Sequence, residues 1–127
     1  MDLLESYKGK NSLIFVEGKK DMELLIKLGF EKENIIRIQN NRDGSIYEIV
    51  EKQMPLRGKS ILILTDFDSE GQLLAERLAS IISEYGGNPQ LHVRTLIYKL
   101  LKGKITQVEG ISHIIRFENY RKDYFSY

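Results

Sequence analysis

The sequence predicts an α/β domain with a sheet of about four mainly parallel strands, flanked by helices and followed by a short C-terminal helical extension. Three observations carry this. Short apolar runs rich in β-branched residues recur without polar alternation, which suits strands buried on both faces. Segments with helical apolar spacing lie between them. Glycine and proline fall at the joints, at Gly29, Pro55 and Gly86-Gly87.

The first strand is Leu13-Ile14-Phe15-Val16. Residues 20–28 follow as a helix with Met22, Leu25, Ile26 and Leu28 on one side, and Gly29 supplies its C-cap. Ile35-Ile36-Arg37-Ile38 is the second strand. Residues 45–54 form a shorter helix with Ile46, Ile49 and Val50 inward, stopped by Pro55. Ile61-Leu62-Ile63-Leu64 is the third strand. The strongest helix spans residues 71–85, with Leu73, Leu74, Leu78, Ile81 and Ile82 in an apolar stripe ahead of Gly86-Gly87. A weaker fourth strand is expected at Leu91-His92-Val93-Arg94, then a short helix over 96–101 stopped by Gly103. Thr106-Gln107-Val108-Glu109 matches a capping box and opens a last helix toward Phe117. The core is expected at about residues 10–95 and the helical extension at 96–127, within one domain.

A chain of 127 residues with 42% apolar and 29% charged residues has the composition of an ordinary globular protein. No apolar run approaches the roughly 20 residues of a membrane helix. The N-terminus lacks the basic-then-apolar layout of a signal peptide, so the cytoplasm is the expected location and no membrane partner is expected. The chain has no cysteine, which excludes disulfides, thiolate nucleophiles and cysteine zinc sites. A net charge of +1 gives no global drive toward nucleic acid. From Arg94 onward, however, basic residues outnumber acidic ones and the segment carries about +4.

The acidic residues that matter for chemistry lie upstream. Val16-Glu17-Gly18 ends the first strand, and Thr65-Asp66-Phe67-Asp68-Ser69-Glu70-Gly71 ends the third. In an open α/β sheet, ligands bind at the carboxyl ends of the strands where strand order reverses. If the first and third strands are neighbours, Glu17 faces Asp66 and Asp68 across that crevice. Carboxylates gathered at one edge repel one another and call for a cation. Oxygen ligands without nearby His or Cys favour Mg²⁺, with Mn²⁺ as its substitute. Such an arrangement suits phosphodiester chemistry. The plainer alternatives are that Asp68 or Ser69 caps the following helix and that Glu70 complements its dipole.

The two motifs, Val16-Glu17-Gly18-Lys19-Lys20-Asp21 and Thr65-Asp66-Phe67-Asp68-Ser69-Glu70-Gly71, resemble the signatures of the Toprim domain. That domain is shared by topoisomerases, bacterial-type primases and several nucleases. By length, the chain is most similar to small stand-alone Toprim proteins of archaeal type. The resemblance implies a Toprim-like, Rossmann-like sheet, with Glu17 as general acid/base and Asp66 and Asp68 as catalytic metal ligands. It further implies Glu17 and Glu70 beside the metal, and Gly18 and Gly71 allowing close backbone approach to substrate. A complete topoisomerase or primase would need further modules, so the expectation is a small metal-dependent nuclease acting on RNA or DNA. The alternative is a non-catalytic adaptor that binds metal, nucleic acid or protein partners in a processing complex.

Other residues have narrower readings. Lys19 and Arg94 are candidate phosphate ligands, and Arg42 is more simply part of a polar turn at 40–44. Asp21 fits a helix N-terminus better than a metal. His92 and His113 lack ligand-spaced partners and read as structural. The aromatic and basic tail after Phe117 suits packing on the core or on a second copy of the chain, with base stacking as the alternative. No phosphate-binding loop of the Walker type is present. A haloacid-dehalogenase-like phosphatase would leave Glu17-Gly18 unexplained.

Overall fold

A computed structural model of the chain describes residues 4–9, 11–38 and 45–101. Three parallel strands form the sheet: β1 (Ser12–Val16), β2 (Ile35–Arg37) and β3 (Ser60–Leu64), in the order β2-β1-β3. The helices are α1 (Lys19–Lys27), α2 (Ser45–Glu51), α3 (Ser69–Glu84) and α4 (Leu91–Leu101). Short 3₁₀ turns at Glu5–Tyr7 and Lys32–Asn34 precede β1 and β2.

The central strand is apolar on both sides because it is covered on both sides. Ile14 and Val16 of β1 and Leu62 and Leu64 of β3 pack with Leu24 and Leu25 of α1 and Val93 and Ile97 of α4. Leu13, Phe15, Ile61 and Ile63 face the other way, onto Ile46 and Val50 of α2 and Ala75, Leu78 and Ile82 of α3. This accounts for the missing polar alternation: successive residues point to opposite faces, and each face is buried under helices. Each such aliphatic side chain contributes roughly 1.5–3 kcal/mol relative to leaving it exposed. Among the described residues no helix is long and apolar enough to cross a membrane.

The expected fourth strand is not formed. Leu91-His92-Val93-Arg94 is the first turn of α4, a continuous helix to Leu101, and the helix expected at 96–101 is its second half. What remains of strand pairing there is a single parallel bridge between Ile61 and Pro89. Apolar residues at 93, 96, 97, 100 and 101 have helical spacing, so the segment has the periodicity of one helix rather than a strand and a helix. Burying Val93 and Ile97 against the sheet then favours the helix over an edge strand. The turn at 40–44, the capping box at Thr106, His113 and the aromatic tail lie outside the described residues.

Candidate functional site

The chain leaves β1 for β2 on one side and then crosses back past β1 to β3 on the other, in the sheet order β2-β1-β3. The switch point therefore lies between β1 and β3, the crevice in which open α/β sheets bind ligands. Val16 pairs with Leu64 at the last register position, which brings the residues that follow the two strands side by side. Glu17 and Asp66 meet there: a Glu17 carboxylate oxygen accepts the Asp66 backbone N–H at 2.8 Å. The sequence separation is 49 residues, and the parallel register alone closes it.

The backbone N–H groups on either side are capped locally. Asp21 Oδ2 accepts the Gly18 N–H at 3.1 Å, so Asp21 serves the N-terminus of α1, as its position predicts. Asp68 is the N-cap of α3, and its Oδ1 accepts the Gly71 N–H at 2.8 Å. The capping alternative for Asp68 is therefore realised, and it engages one of the two carboxylate oxygens. Asp68→Ala is expected to cost about 1 kcal/mol of stability by urea unfolding. Asp68→Asn, which keeps the acceptor oxygen, is expected to recover most of that loss.

Gly71 is buried, and its close approach is to the protein's own backbone rather than to solvent. A Cβ on Gly71 would lie 1.8 Å from the Asp66 carbonyl oxygen. The Thr65 hydroxyl donates to the Gly71 carbonyl at 2.6 Å, tying the same turn from the other side. Gly18, the N-cap of α1, is extended and partly exposed beside Glu17. Lys19 and Glu70 are exposed in the first turns of α1 and α3.

Arg94 departs most from its expected role. It sits on α4 rather than at a strand end and is only 4% exposed. Its guanidinium donates to the Asp66 carbonyl at 2.5 Å, the Thr65 carbonyl at 3.2 Å and Gln72 Oε1 at 2.6 Å. It also stacks over the Phe67 ring, 4.8 Å from the centroid. A group so engaged is a brace for the acidic turn, not an open phosphate ligand. Sequence reasoning missed its partners Thr65, Phe67 and Gln72. The available signal was the helical spacing of α4, which carries Arg94 against the turn after β3. A cleft of roughly 240 Å³ opens beside this brace, lined by Phe67, Asp68, Ser69, Gln72, Arg94 and Thr95. His92 is exposed on α4.

Burial raises the Glu17 pKa above the ordinary carboxylate value; the Asp66 N–H opposes this, while Asp66, Asp21 and Asp68 raise it further by repulsion. A folded-state pKa above the unfolded one means that the fold favours protonated Glu17. That contribution is complete below the unfolded pKa and is lost as pH rises through the folded pKa. Glu17→Gln is therefore expected to raise Tm at pH 7 in metal-free buffer. The gain should shrink as pH falls to about 4, near the unperturbed carboxylate range, in calorimetric scans at both values.

The donor chemistry at this edge fits Mg²⁺: the acidic groups are hard oxygen ligands, and mutual repulsion is already felt at Glu17. Among the described residues, no three acidic or histidine side chains converge closely enough to make a complete protein cage. Mg²⁺ seldom requires one, since it keeps several waters and takes one or two carboxylates.

No family model matches the chain. A UPF0292 protein from Methanosarcina barkeri is 32% identical over 108 residues, which cover 85% of this chain and 72% of the relative. The chain belongs to the UPF0292 family. Another UPF0292 member, from Thermococcus sibiricus, is 31% identical over 121 residues and spans 94% of this chain and 90% of its own. A solved structure of a protein from Aquifex aeolicus superposes with a TM-score of 0.63 at 22% identity, covering 77% of this chain and 87% of that one. At that identity it shows the shared α/β fold alone.

Proposed function

We propose that this UPF0292 protein performs Mg²⁺-dependent phosphodiester chemistry on nucleic acid, as a small Toprim-like nuclease. The observation that carries the reading is the meeting of Glu17 and the Asp66–Asp68 turn across the β1/β3 switch point. Asp66 and Asp68 would hold the metal, with Glu17 beside it and Glu70 within the same first turn of α3. When bound, Mg²⁺ neutralises charge on the phosphodiester and orients it.

Glu17 handles the proton. In the metal-free site, burial and acidic neighbours raise the pKa of its half-buried carboxyl, and a bound Mg²⁺ would favour the ionised form that accepts a proton. Glu17 can accept a proton from an attacking water or return one to the leaving oxygen. Gly18 leaves the entrance beside Glu17 without a side chain, and Lys19 supplies a cation at the same edge. The net positive charge of the sequence from Arg94 onward would favour a polyanionic substrate.

A second reading has its own support. The engagement of Arg94 by backbone carbonyls removes one expected phosphate ligand, which favours an adaptor that binds metal, nucleic acid or a protein partner without cleaving. Labelled single- and double-stranded RNA and DNA incubated with Mg²⁺ or Mn²⁺ distinguish the two. Metal-dependent cleavage that disappears in Glu17→Gln and in Asp66→Asn/Asp68→Asn supports the nuclease. Binding to these substrates without cleavage by clean wild-type protein supports the adaptor.

A further inference from the structure

We infer that Arg94 is a positioning residue: from α4 it fixes the backbone of Asp66 and so aims the acidic turn at Glu17. The inference concerns the same edge as the proposed site, but its geometric core stands whether or not the protein is a nuclease.

The peptide groups of Asp66 are held from three directions. On the amide side, Asp66 N–H donates to Glu17 at 2.8 Å. On the carbonyl side, the Arg94 guanidinium donates to Asp66 O at 2.5 Å and to the preceding carbonyl, Thr65 O, at 3.2 Å. Behind the Asp66 carbonyl, the α-carbon of Gly71 is packed so closely that no side chain fits. With N–H and C=O both fixed, the Cα–Cβ direction of Asp66 is fixed too, because the backbone has only two soft torsions per residue.

The charge explains why arginine suits this place. A planar guanidinium presents several donors in a rigid fork. Here one terminal nitrogen serves two carbonyls and the other serves Gln72 on α3, while the guanidinium stacks on Phe67. It thereby links α4, α3 and the turn after β3 at one point. A lysine has a single ammonium and no stacking plane, so it cannot hold this set together. Burial strengthens the effect: at 4% exposure, hydrogen bonds from a charged donor are poorly replaced by water.

Such a role differs from generic stabilisation in where its loss is felt. Removing a mere core prop weakens the whole domain. Removing a brace loosens the Asp66 turn ahead of the strand that leads into it. Amide hydrogen exchange of the full chain reads the difference, with Arg94→Lys as the principal variant and Gln72→Ala as a second that leaves the arginine in place but removes one of its anchors. In folded Arg94→Lys, exchange at the Asp66 amide should accelerate at least about tenfold relative to Leu62 of β3, whose N–H lies on the side facing β1. Gln72→Ala should produce a smaller change of the same pattern.

Mn²⁺ titration of the same samples, followed calorimetrically, is expected to show at least about tenfold weaker binding in Arg94→Lys, since a misaimed carboxylate is a poor ligand. Should wild-type protein bind no Mn²⁺, the metal-dependent function fails while the exchange comparison still decides the role of Arg94. Equal acceleration across β3 and Asp66, or unchanged Asp66 protection in the folded variants, would overturn the positioning role. If Arg94→Lys does not fold, Gln72→Ala decides the matter by the same local-against-global comparison.

Discussion

Replacing Gly71 by alanine is expected to destabilise the protein by about 3 kcal/mol, a large effect for one methyl group. The added carbon would sit 1.8 Å from the Asp66 carbonyl oxygen, 2.5 Å from its carbon and 2.9 Å from its Cα. All three are backbone atoms, so no side-chain rotation relieves the overlap. Relief requires α3 to move away from the turn after β3. That movement would also stretch the Thr65 hydroxyl bond to the Gly71 carbonyl and the Asp68 cap on the Gly71 amide. Urea unfolding of Gly71→Ala should show a lower midpoint with little change in slope. A variant within about 0.5 kcal/mol of wild type would mean that α3 is not seated on the turn as described.

Glu17→Gln is expected to lower metal-dependent cleavage by about 10²–10⁴-fold, the range associated with loss of a general acid/base. The substitution keeps the size of the side chain and an oxygen to accept the Asp66 N–H, while removing the titratable proton. Under single-turnover conditions, the chemical step should therefore fall much more than substrate binding. The predicted rise in Tm at neutral pH provides the complementary check, because it reports the same half-buried charge without any substrate. A carboxylate that costs stability when ionised, yet is needed for turnover, is the expected signature of a functional group. Equal loss of binding and rate would instead make Glu17 a substrate contact.

The sheet and the motif edge were legible because they follow from local patterns. Buried parallel strands read as unbroken apolar runs, and strand-to-helix junctions are marked by Glu17-Gly18 and Asp68-Ser69. Asp21 was placed correctly from its position in the first turn of α1. The error at residues 91–94 arose from a four-residue window, too short to separate a strand from one turn of a helix. Taken with Leu96, Ile97, Leu100 and Leu101, the same residues have helical spacing.

The misplacement of Arg94 followed from that error, since a strand end would have exposed its guanidinium and a helix face buries it. The 3₁₀ turns at Glu5–Tyr7 and Lys32–Asn34 carry no strong sequence signal of their own. Tyr7 is buried, and its hydroxyl donates to Gln90, just before α4. Such a contact between the two ends of the described core depends on tertiary packing and has no periodicity to announce it. The same holds for the tenancy of the Asp66 carbonyl, which neither motif reveals.

We propose that an ion binds where β1 and β3 end together. Mn²⁺-induced broadening of backbone amide resonances tests it most directly, because paramagnetic broadening falls steeply with distance from the ion. Substoichiometric Mn²⁺ is predicted to broaden Gly18 and residues 66–69 first, leaving the opposite edge near Lys59 and Ser60 sharp, and to lose this pattern in Asp66→Asn/Asp68→Asn. Broadening centred elsewhere, or an unchanged pattern in the double variant, would rule out an ion at this edge.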